Sequence, residues 1–380
     1  MPWVAFYANF LWVMVLGLIG PSVPAIVKDL GISYSRAGFL FTALSAGSLF
    51  GTLFGGLVAD RINRKVVFAI SAACLGLGLL LFGRSEGYTL LILFMFLMSL
   101  GGSPVGVIGQ TIMLDMYPEK RDRYLPFQTF FAALGNFAAP LIVAATVVMG
   151  LSWRWSFFEV SVLAVLLFVL ALAARYPAAG GATHNRVPVR KILSHGKVIV
   201  ASLLILFSVS VDIGFSYWLA EYFTSTLDVP LKLSSAAVSI YLAGIITGRL
   251  STPLFLKAAP PLRILQVSLS FSCLVLLFYI FVPSTPLKAV SVFFYGLGVG
   301  PLFPLILARG TEDYTGQSGS VSGILFSFMS VGGMVFPFLF GALAQEFSIR
   351  STYFVVLGIL VCLVISITFW KRHLDRSRES

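Results

Sequence analysis

The side chains that could carry chemistry in this sequence are the few ionisable and amide groups that interrupt long apolar stretches. Asp212 stands out because it lies about 14 residues into the apolar stretch 198–226, roughly 21 Å along a helix. No lysine or arginine lies within one turn of it, between Ser208 and Ser216. Ionisation is costly at that depth, so Asp212 is a candidate to carry a proton. The alternatives are a carboxyl that only accepts a hydrogen bond and one that pairs in space with Arg249.

Polar and aromatic residues share one helical face of the same stretch, at the spacing i, i+4, i+7, i+10, i+14. Together they offer a hydroxyl, a carboxyl and three rings, which suit an organic solute with polar and flat surfaces. The alternative is a stripe of aromatic packing, and the two interpretations are equally balanced for Phe215. This face consists of Ser208, Asp212, Phe215, Trp218 and Tyr222.

Two amides, Asn9 and Gln110, also interrupt apolar stretches. An amide both donates and accepts hydrogen bonds, so these residues could bind the hydroxyl groups of a solute. They could equally bond to a neighbouring helix. Tyr295 is a weaker candidate of the same kind. Arg249 could bind an anionic solute, but we favour a structural role, in which it pairs with an acid or reaches toward the membrane interface.

The sequence offers no recognisable site for a metal, a nucleotide or another cofactor. All three histidines, His184, His195 and His373, lie outside the apolar stretches, which argues against a histidine proton relay. The three cysteines lie inside apolar stretches, and no phosphate-binding loop is visible. We therefore expect a protein that is not an enzyme, needs no cofactor and does not hydrolyse ATP.

Membrane-spanning helices must position these groups. Of the 380 residues, 58% are hydrophobic and 11% charged, against about 25% charged in soluble domains. Apolar runs of about 20 residues recur along the chain, and the short alternating strands of an outer-membrane barrel are absent. We predict an all-α polytopic membrane protein with twelve transmembrane helices. They cover roughly 3–28, 34–59, 65–84, 88–114, 124–149, 153–175, 198–226, 232–256, 262–282, 286–308, 316–345 and 350–370.

The chain also repeats itself at an offset of 197 residues, and one register holds along nearly its whole length. Two parallel membrane repeats are typical of transporters that rock one half against the other around a central site. We predict two pseudo-symmetric six-helix halves, over 1–175 and 198–371, with a cytoplasmic linker over 176–197 and a cytoplasmic tail over 372–380. The matched pairs include Gly17/Gly214, Gly47/Gly244, Gly51/Gly248, Gly101/Gly298, Pro104/Pro301, Asp115/Glu312, Gly135/Gly332 and Pro140/Pro337.

The net charge of +11 would suggest nucleic-acid binding in a soluble protein. Here, eighteen of the 26 lysines and arginines lie in one set of loops and the tail. The positive-inside rule places these loops, the linker and both termini in the cytoplasm. The charge is thus explained without a nucleic-acid partner. We expect a monomer in the cell (inner or plasma) membrane, with the lipid bilayer, a small solute and protons as its partners.

The loop after the second span carries a family signature. Residues 56–65 read Gly-Leu-Val-Ala-Asp-Arg-Ile-Asn-Arg-Lys and resemble the motif G-x-x-x-D-R-x-G-R-R/K of the major facilitator superfamily. Asn63 replaces the usual Gly, and Asn tolerates the left-handed turn expected there. The resemblance extends over essentially the whole chain. It implies a cytoplasmic gate formed by Gly56, Asp60, Arg61, Arg64, Lys65, Asp115 and Glu312. The alternative to a gate is positive loop charge with no switching role.

The resemblance implies a secondary transporter that works by alternating access, with spans 1, 4, 7 and 10 lining a central cavity. The exporter pattern G-P-x-x-G-G is incomplete at 139–144, which reads Ala-Pro-Leu-Ile-Val-Ala. Asp212, Trp218 and the stretch 248–250 are weakly similar to a sugar-porter branch. We therefore predict proton-coupled import of a small organic solute, with Asp212 as the proton carrier. The alternatives are a proton-driven exporter of hydrophobic or cationic compounds and, in another class, a receptor or scaffold that moves no solute.

Overall fold

Helices and the turns between them make up the described chain. A computed structural model describes residues 2–59, 63–116, 121–174, 196–312 and 318–379. Within these ranges the backbone forms no strand, so the predicted all-α class is confirmed. The α-helices are α1 (Pro2–Leu30), α2 (Tyr34–Ala59), α3 (Arg64–Arg84), α4 (Tyr88–Met116), α5 (Arg121–Val148), α6 (Arg154–Ala173), α7 (Gly196–Glu221), α8 (Leu231–Leu256), α9 (Pro261–Phe281), α10 (Thr285–Val299), α11 (Leu302–Thr311), α12 (Ser318–Glu346) and α13 (Ile349–Glu379).

The helices correspond in position to the predicted membrane spans. Within the described ranges, eleven helical segments are long and apolar enough to cross a bilayer, and the predicted second span is the 26-residue helix α2. Span 7 ends in a π-helical turn, Tyr222–Thr226. Span 10 is divided into α10 and α11 at Gly300 and Pro301. Proline has no N–H to donate to the helix, which accounts for a break at this point.

The 197-residue repeat is also a repeat of helix contacts. A Cβ atom added at Gly47 would lie 2.4 Å from the carbonyl oxygen of Phe96, and one added at Gly244 would lie 2.1 Å from that of Phe293. Both the glycines and their partners are 197 residues apart. The backbones of α2 and α4 therefore touch as those of α8 and α10 do, which only glycine permits. The same relation links the contacts Gly51–Leu100 and Gly248–Leu297, and the contacts Gly101–Ser71 and Gly298–Ser268.

The repeat is also present in a turn whose residue types differ between the two halves. Gly31 follows α1 with φ +59°, and Asp228 follows the π-helical turn with φ +53°. These positions are again 197 residues apart. Aspartate is one of the few residues other than glycine that visit the left-handed region. The same turn therefore closes the first span of each half, although the two residues have no chemistry in common.

The chain divides into two compact units. Unit 1 comprises Met1–Thr183 and Phe223–Ala236, and unit 2 comprises His184–Tyr222 and Ala237–Ser380. The first residues of α8 thus belong to unit 1, where the Ser235 hydroxyl donates to the carbonyl oxygen of Pro21 at 3.3 Å. Apart from its last two residues, the predicted linker 176–197 lies outside the described part of the chain.

Charged and aromatic side chains tie helix ends together in one corner of unit 1. The Arg154 guanidinium, in the first turn of α6, forms an ion pair with the Asp29 carboxylate near the end of α1. It also donates to the carbonyl oxygen of Ser85, which follows α3, at 3.1 Å. The Trp153 indole donates to Asp29 at 3.2 Å and lies under the Arg154 guanidinium. These contacts fix the ends of α1, α3 and α6 relative to one another.

Candidate functional site

Asp212 is the centre of the polar site in unit 2, and it is bonded to a tyrosine. The Tyr241 hydroxyl on α8 donates to Asp212 Oδ1 at 2.6 Å. Tyr241 is fully buried, whereas Asp212 is partly exposed. A hydroxyl bonded to a carboxylate at this distance is a strong, charge-assisted contact. The other carboxyl oxygen, Oδ2, has no hydrogen-bond partner among the described residues, so it can take up a proton or a donor group of a solute.

Arg249 lies on the same helix as Tyr241, and its side chain bonds to the backbone. Its Nε donates to the carbonyl oxygen of Gly300 at 3.3 Å, and Gly300 is the residue at which α10 ends. In the described chain, Arg249 forms no ion pair with Asp212 within 4.0 Å. The contact satisfies a carbonyl left over where the helix breaks. The described contact is thus to the backbone, and the pairing with an acid or the reach toward the interface stays a prediction.

The aromatic residues predicted beside Asp212 form a packed cluster in unit 2. The Phe215 ring is its centre, with ring centroids between 4.3 Å (Tyr295) and 5.4 Å (Tyr241) from those of four tyrosines. At these distances the rings attract one another beyond the simple burial of apolar surface. Each member is at most 2% exposed. The cluster consists of Phe215, Tyr222, Tyr241, Tyr279, Tyr295 and Tyr353.

The cluster gives Phe215 and Tyr222 packing positions, which is the alternative that the sequence left open for the α7 face, and it encloses Tyr295 as well. The cluster affects the site indirectly. Tyr241 belongs to the cluster, and the Tyr241 hydroxyl holds Asp212. Tyr295 also donates to the Val211 carbonyl oxygen at 3.3 Å. The rings therefore position the carboxyl rather than line a cavity around it.

Two other residues predicted on the α7 face are buried as well. The Ser208 hydroxyl donates to the carbonyl oxygen of Ile205 in its own helix, at 3.0 Å. Trp218 is 0% exposed. Of the predicted face, Asp212 is thus the member that is both ionisable and partly exposed, and the structure brings Tyr241 to it from α8.

The polar position in unit 1 contains a residue that the sequence interpretation missed. Asn9 Nδ2 on α1 donates to the backbone carbonyl of Gln128 on α5 at 3.2 Å. The Gln128 side chain is 3% exposed, and neither atom of its amide has a hydrogen-bond partner among the described residues. The signal that identified Asn9 and Gln110, an amide in an apolar helix, applied to Gln128 too. Gln110 lies on α4, and its side chain is not among those that the structure describes.

An unpaired buried amide costs about 1–3 kcal/mol. Native structures rarely leave such a group without a water molecule, an ion or a ligand to bond to. Gln128 therefore has a donor and an acceptor that no other described residue uses. Within the described chain, no group of three His, Cys, Asp or Glu side chains could hold a metal ion.

The predicted gate lies mostly beyond what the structure describes. Asp60 and Arg61 are not among the described residues, and Gly56, Arg64 and Asp115 are described only as parts of α2, α3 and α4. The interaction of the gate residues with one another therefore stays a prediction.

The described gate residues make local contacts. Lys65 Nζ is not in a described ion pair, and the Lys65 N–H is bonded by the Asn63 side chain at 2.9 Å. Asn63 has φ −57° and caps the start of α3. The left-handed turn expected at Asn63 is therefore wrong, because the amide serves as a helix cap instead. Glu312 forms an ion pair with Arg309, one turn earlier in the chain.

The chain is similar to known proteins in sequence and in fold. The family model described as Major Facilitator Superfamily matches residues 5–329. The Quinolone resistance protein NorA of Staphylococcus aureus (strain MSSA476) is 22% identical over 99% of this chain and 98% of its own. A variant of the nucleoside transporter NupG has a TM-score of 0.83 at 14% identity, covering 97% of this chain and 98% of that one. A D-xylose-proton symporter has a TM-score of 0.82 at 14% identity, covering 96% of each chain.

Proposed function

The chain belongs to the major facilitator superfamily, and from that premise we propose that it is a proton-coupled carrier in which Asp212 binds and releases the proton. It is a multi-pass membrane transporter and not an enzyme. The observation that carries the proposal is the partly exposed Asp212 carboxyl, held at one oxygen by Tyr241 at 2.6 Å. A carboxyl fixed in this way offers one oxygen for a proton while its position is maintained.

The nearby groups favour this use of Asp212. The Arg249 guanidinium does not occupy the carboxyl, because its Nε donates to the Gly300 carbonyl oxygen. The second oxygen of Asp212 is therefore left for a proton. The proton is thus exchanged at Asp212 Oδ2, and Tyr241 keeps the carboxyl in place in both states.

The polar groups of unit 1 favour an uncharged polar solute. Asn9 and Gln128 offer amide donors and acceptors, and no lysine, arginine or carboxylate is among the hydrogen-bond partners described for them. Hydroxyl or amide groups on a small organic molecule match these donors and acceptors. We propose import of such a solute together with a proton, as in the D-xylose-proton symporter to which the fold is similar.

A proton-driven exporter is the second candidate, and one specific observation favours it. The chain is similar along its whole length to a protein named for quinolone resistance. A single membrane carboxyl would also serve an exporter of hydrophobic or cationic compounds. The incomplete exporter pattern at 139–144 favours import. Two of the structures that share the fold are named a nucleoside transporter and a D-xylose-proton symporter, which favours a carrier over a receptor or scaffold that moves no solute.

A flux assay in proteoliposomes tests this proposal. Purified protein is screened for thermal stabilisation by sugars, nucleosides, amino acids and cationic dyes, and the best ligand is then used in radiolabelled form. An importer should accumulate the ligand when the outside is acidic, because protons then enter with it. Accumulation when the inside is acidic would favour the exporter. Binding with no flux in either direction would contradict both.

Orientation is a separate proposal, with both termini in the cytoplasm. Cysteines placed at Asn185 and Ser377 should stay unlabelled by a membrane-impermeant maleimide in intact cells and should react after the cells are opened. Glu86→Cys is the matched control, because Glu86 is exposed in the turn between α3 and α4 on the opposite side. Labelling at Asn185 or Ser377 from outside, with none at Glu86, would reverse the orientation.

We also propose that the charges at 60–65 stabilise a closed cytoplasmic face together with Asp115 and Glu312. Asp60→Asn and Arg64→Ala should each slow flux roughly tenfold, the effect of about 1.4 kcal/mol on the barrier, with unchanged yield of folded protein. Removing one partner of a charge cluster leaves the other uncompensated. The control is Lys257→Asn, since Lys257 is the exposed repeat counterpart of Asp60. Unchanged flux in both gate variants would reduce these charges to determinants of topology.

A further inference from the structure

A long apolar groove runs along unit 2 between α7 and α13. Its volume is about 1140 Å³, and its lining on α7 extends from Gly196 to Phe207. Eleven residues of helix span roughly 16 Å, which is about half of the ~30 Å hydrocarbon thickness of a bilayer. On α13 the lining extends further, from Val355 to Trp370, which is roughly 22 Å of helix. The groove therefore reaches more than halfway across the hydrocarbon region without spanning it.

The two ends of the groove differ in chemistry. Lys197 and Trp370 line it at the end where α7 begins and the membrane-spanning part of α13 finishes. The sequence continues from Trp370 into Lys371 and Arg372. Tryptophan and basic residues together are typical of the membrane–water interface. Further in, the lining is formed by apolar side chains such as Leu203 and Phe207, so the groove has one polar mouth and an apolar interior.

Gly358 shows that the groove is open rather than narrowly packed. It lies in the lining on α13, and a Cβ atom added there would meet no atom within 4 Å. The glycines that bring helices together behave in the opposite way, with contacts below 3 Å. Apolar side chains that face an unfilled space lose their dispersion contacts. In a bilayer, the molecules at hand to restore those contacts are lipid chains.

We propose that this groove is a binding site for an anionic phospholipid. One acyl chain lies along α7 and α13 beside Gly358, and the phosphate is held at the mouth by Lys197. Three observations support this occupant: the groove enters the hydrocarbon region from one end without spanning it, its interior is apolar, and Lys197 lies at its mouth. Cations next to a membrane span attract anionic headgroups. The proposal does not depend on what the protein transports.

Filling the groove tests the proposal. Gly358→Phe should place a ring in the open space without disturbing the helices. Protein from nanodiscs that contain phosphatidylglycerol and phosphatidylcholine is analysed by native mass spectrometry. We expect the unaltered protein to retain one phosphatidylglycerol molecule and Gly358→Phe to lose at least nine-tenths of that occupancy. Lys197→Gln should keep a bound lipid but lose the preference for phosphatidylglycerol.

Val361→Phe is the matched control, because Val361 is on the same helix, is 45% exposed and does not line the groove. Equal phosphatidylglycerol retention in Gly358→Phe and Val361→Phe would overturn the proposal. Equal retention of the two lipids by the unaltered protein would overturn the anionic specificity.

Quenching of tryptophan fluorescence by brominated lipids tests the same proposal without the Gly358 variant. The emission of Trp370 is measured as the difference between the unaltered protein and Trp370→Phe. Phosphatidylglycerol that is brominated on its acyl chain should quench this emission. Brominated phosphatidylcholine should quench it less. Equal quenching by the two lipids would again contradict an anionic site.

Discussion

Asp212→Asn should abolish uphill accumulation of the solute and leave its exchange between equal pools intact. The amide has the shape of a protonated carboxyl but cannot release a proton. With one coupled proton, a gradient of one pH unit drives an accumulation ratio of up to about ten, since tenfold corresponds to about 1.4 kcal/mol. In the variant this ratio should fall to one. Counterflow and pH-driven uptake, measured in the same proteoliposomes, separate the two activities.

Two further variants sharpen this experiment. Asp228→Asn is the control, because Asp228 is an exposed acid in the turn before α8 and has a left-handed φ that asparagine also accepts. It should accumulate solute normally. Tyr241→Phe removes the hydroxyl bonded to Asp212 and should reduce coupling without eliminating it. If Asp212→Asn still concentrates the solute, the coupling site is elsewhere, with Glu221 or Glu159 as the next residues to test.

Gly244→Leu should prevent folding almost completely. A Cβ atom at this position would lie 2.1 Å from the Phe293 carbonyl oxygen, and that atom belongs to the backbone of α10. A helix backbone cannot yield to a side chain as a flexible neighbour can, so α8 and α10 would have to separate. We expect at least a tenfold loss of monodisperse protein in size-exclusion chromatography. Gly47→Leu should have a similar effect, because it meets the Phe96 carbonyl at 2.4 Å.

Gly358→Leu is the control for both substitutions. It introduces the same side chain into a transmembrane helix at a glycine with no neighbouring atom within 4 Å. Its yield should equal that of the unaltered protein. Comparable yields for Gly244→Leu and Gly358→Leu would mean that the close approach of α8 and α10 is not needed for folding.

The helices were predictable because hydropathy alone determines which segments can enter a bilayer. The structure adds that helix pairing follows the repeat, since Gly47 and Gly244 keep one register and make the same contact. Pro301 accounts for the break in span 10, because proline has no N–H to donate. These features depend on local composition or on an internal copy, both of which can be read from a single sequence.

The environment of Asp212 could not be predicted in the same way. Tyr241 is 29 residues away in the chain, and nothing local signals that its hydroxyl reaches the carboxyl. The spacing on α7 placed Phe215 on the face of Asp212, but it could not show that four tyrosines from other helices enclose it. Gln128 was missed although its residue type was informative. Contacts between distant segments determine which polar group is enclosed and which is left open.

The repeated glycine contacts also bear on how this protein arose. Gly47 and Gly244 make the same contact, as expected if one ancestral six-helix segment was duplicated and joined. The chemistry did not stay paired, because the residues 197 positions before Asp212 and Arg249 are Val15 and Thr52. Backbone contact tolerates no other residue in either copy, whereas a single proton carrier is enough for the whole molecule. After duplication, one copy was thus free to acquire the charges while both had to keep the glycines.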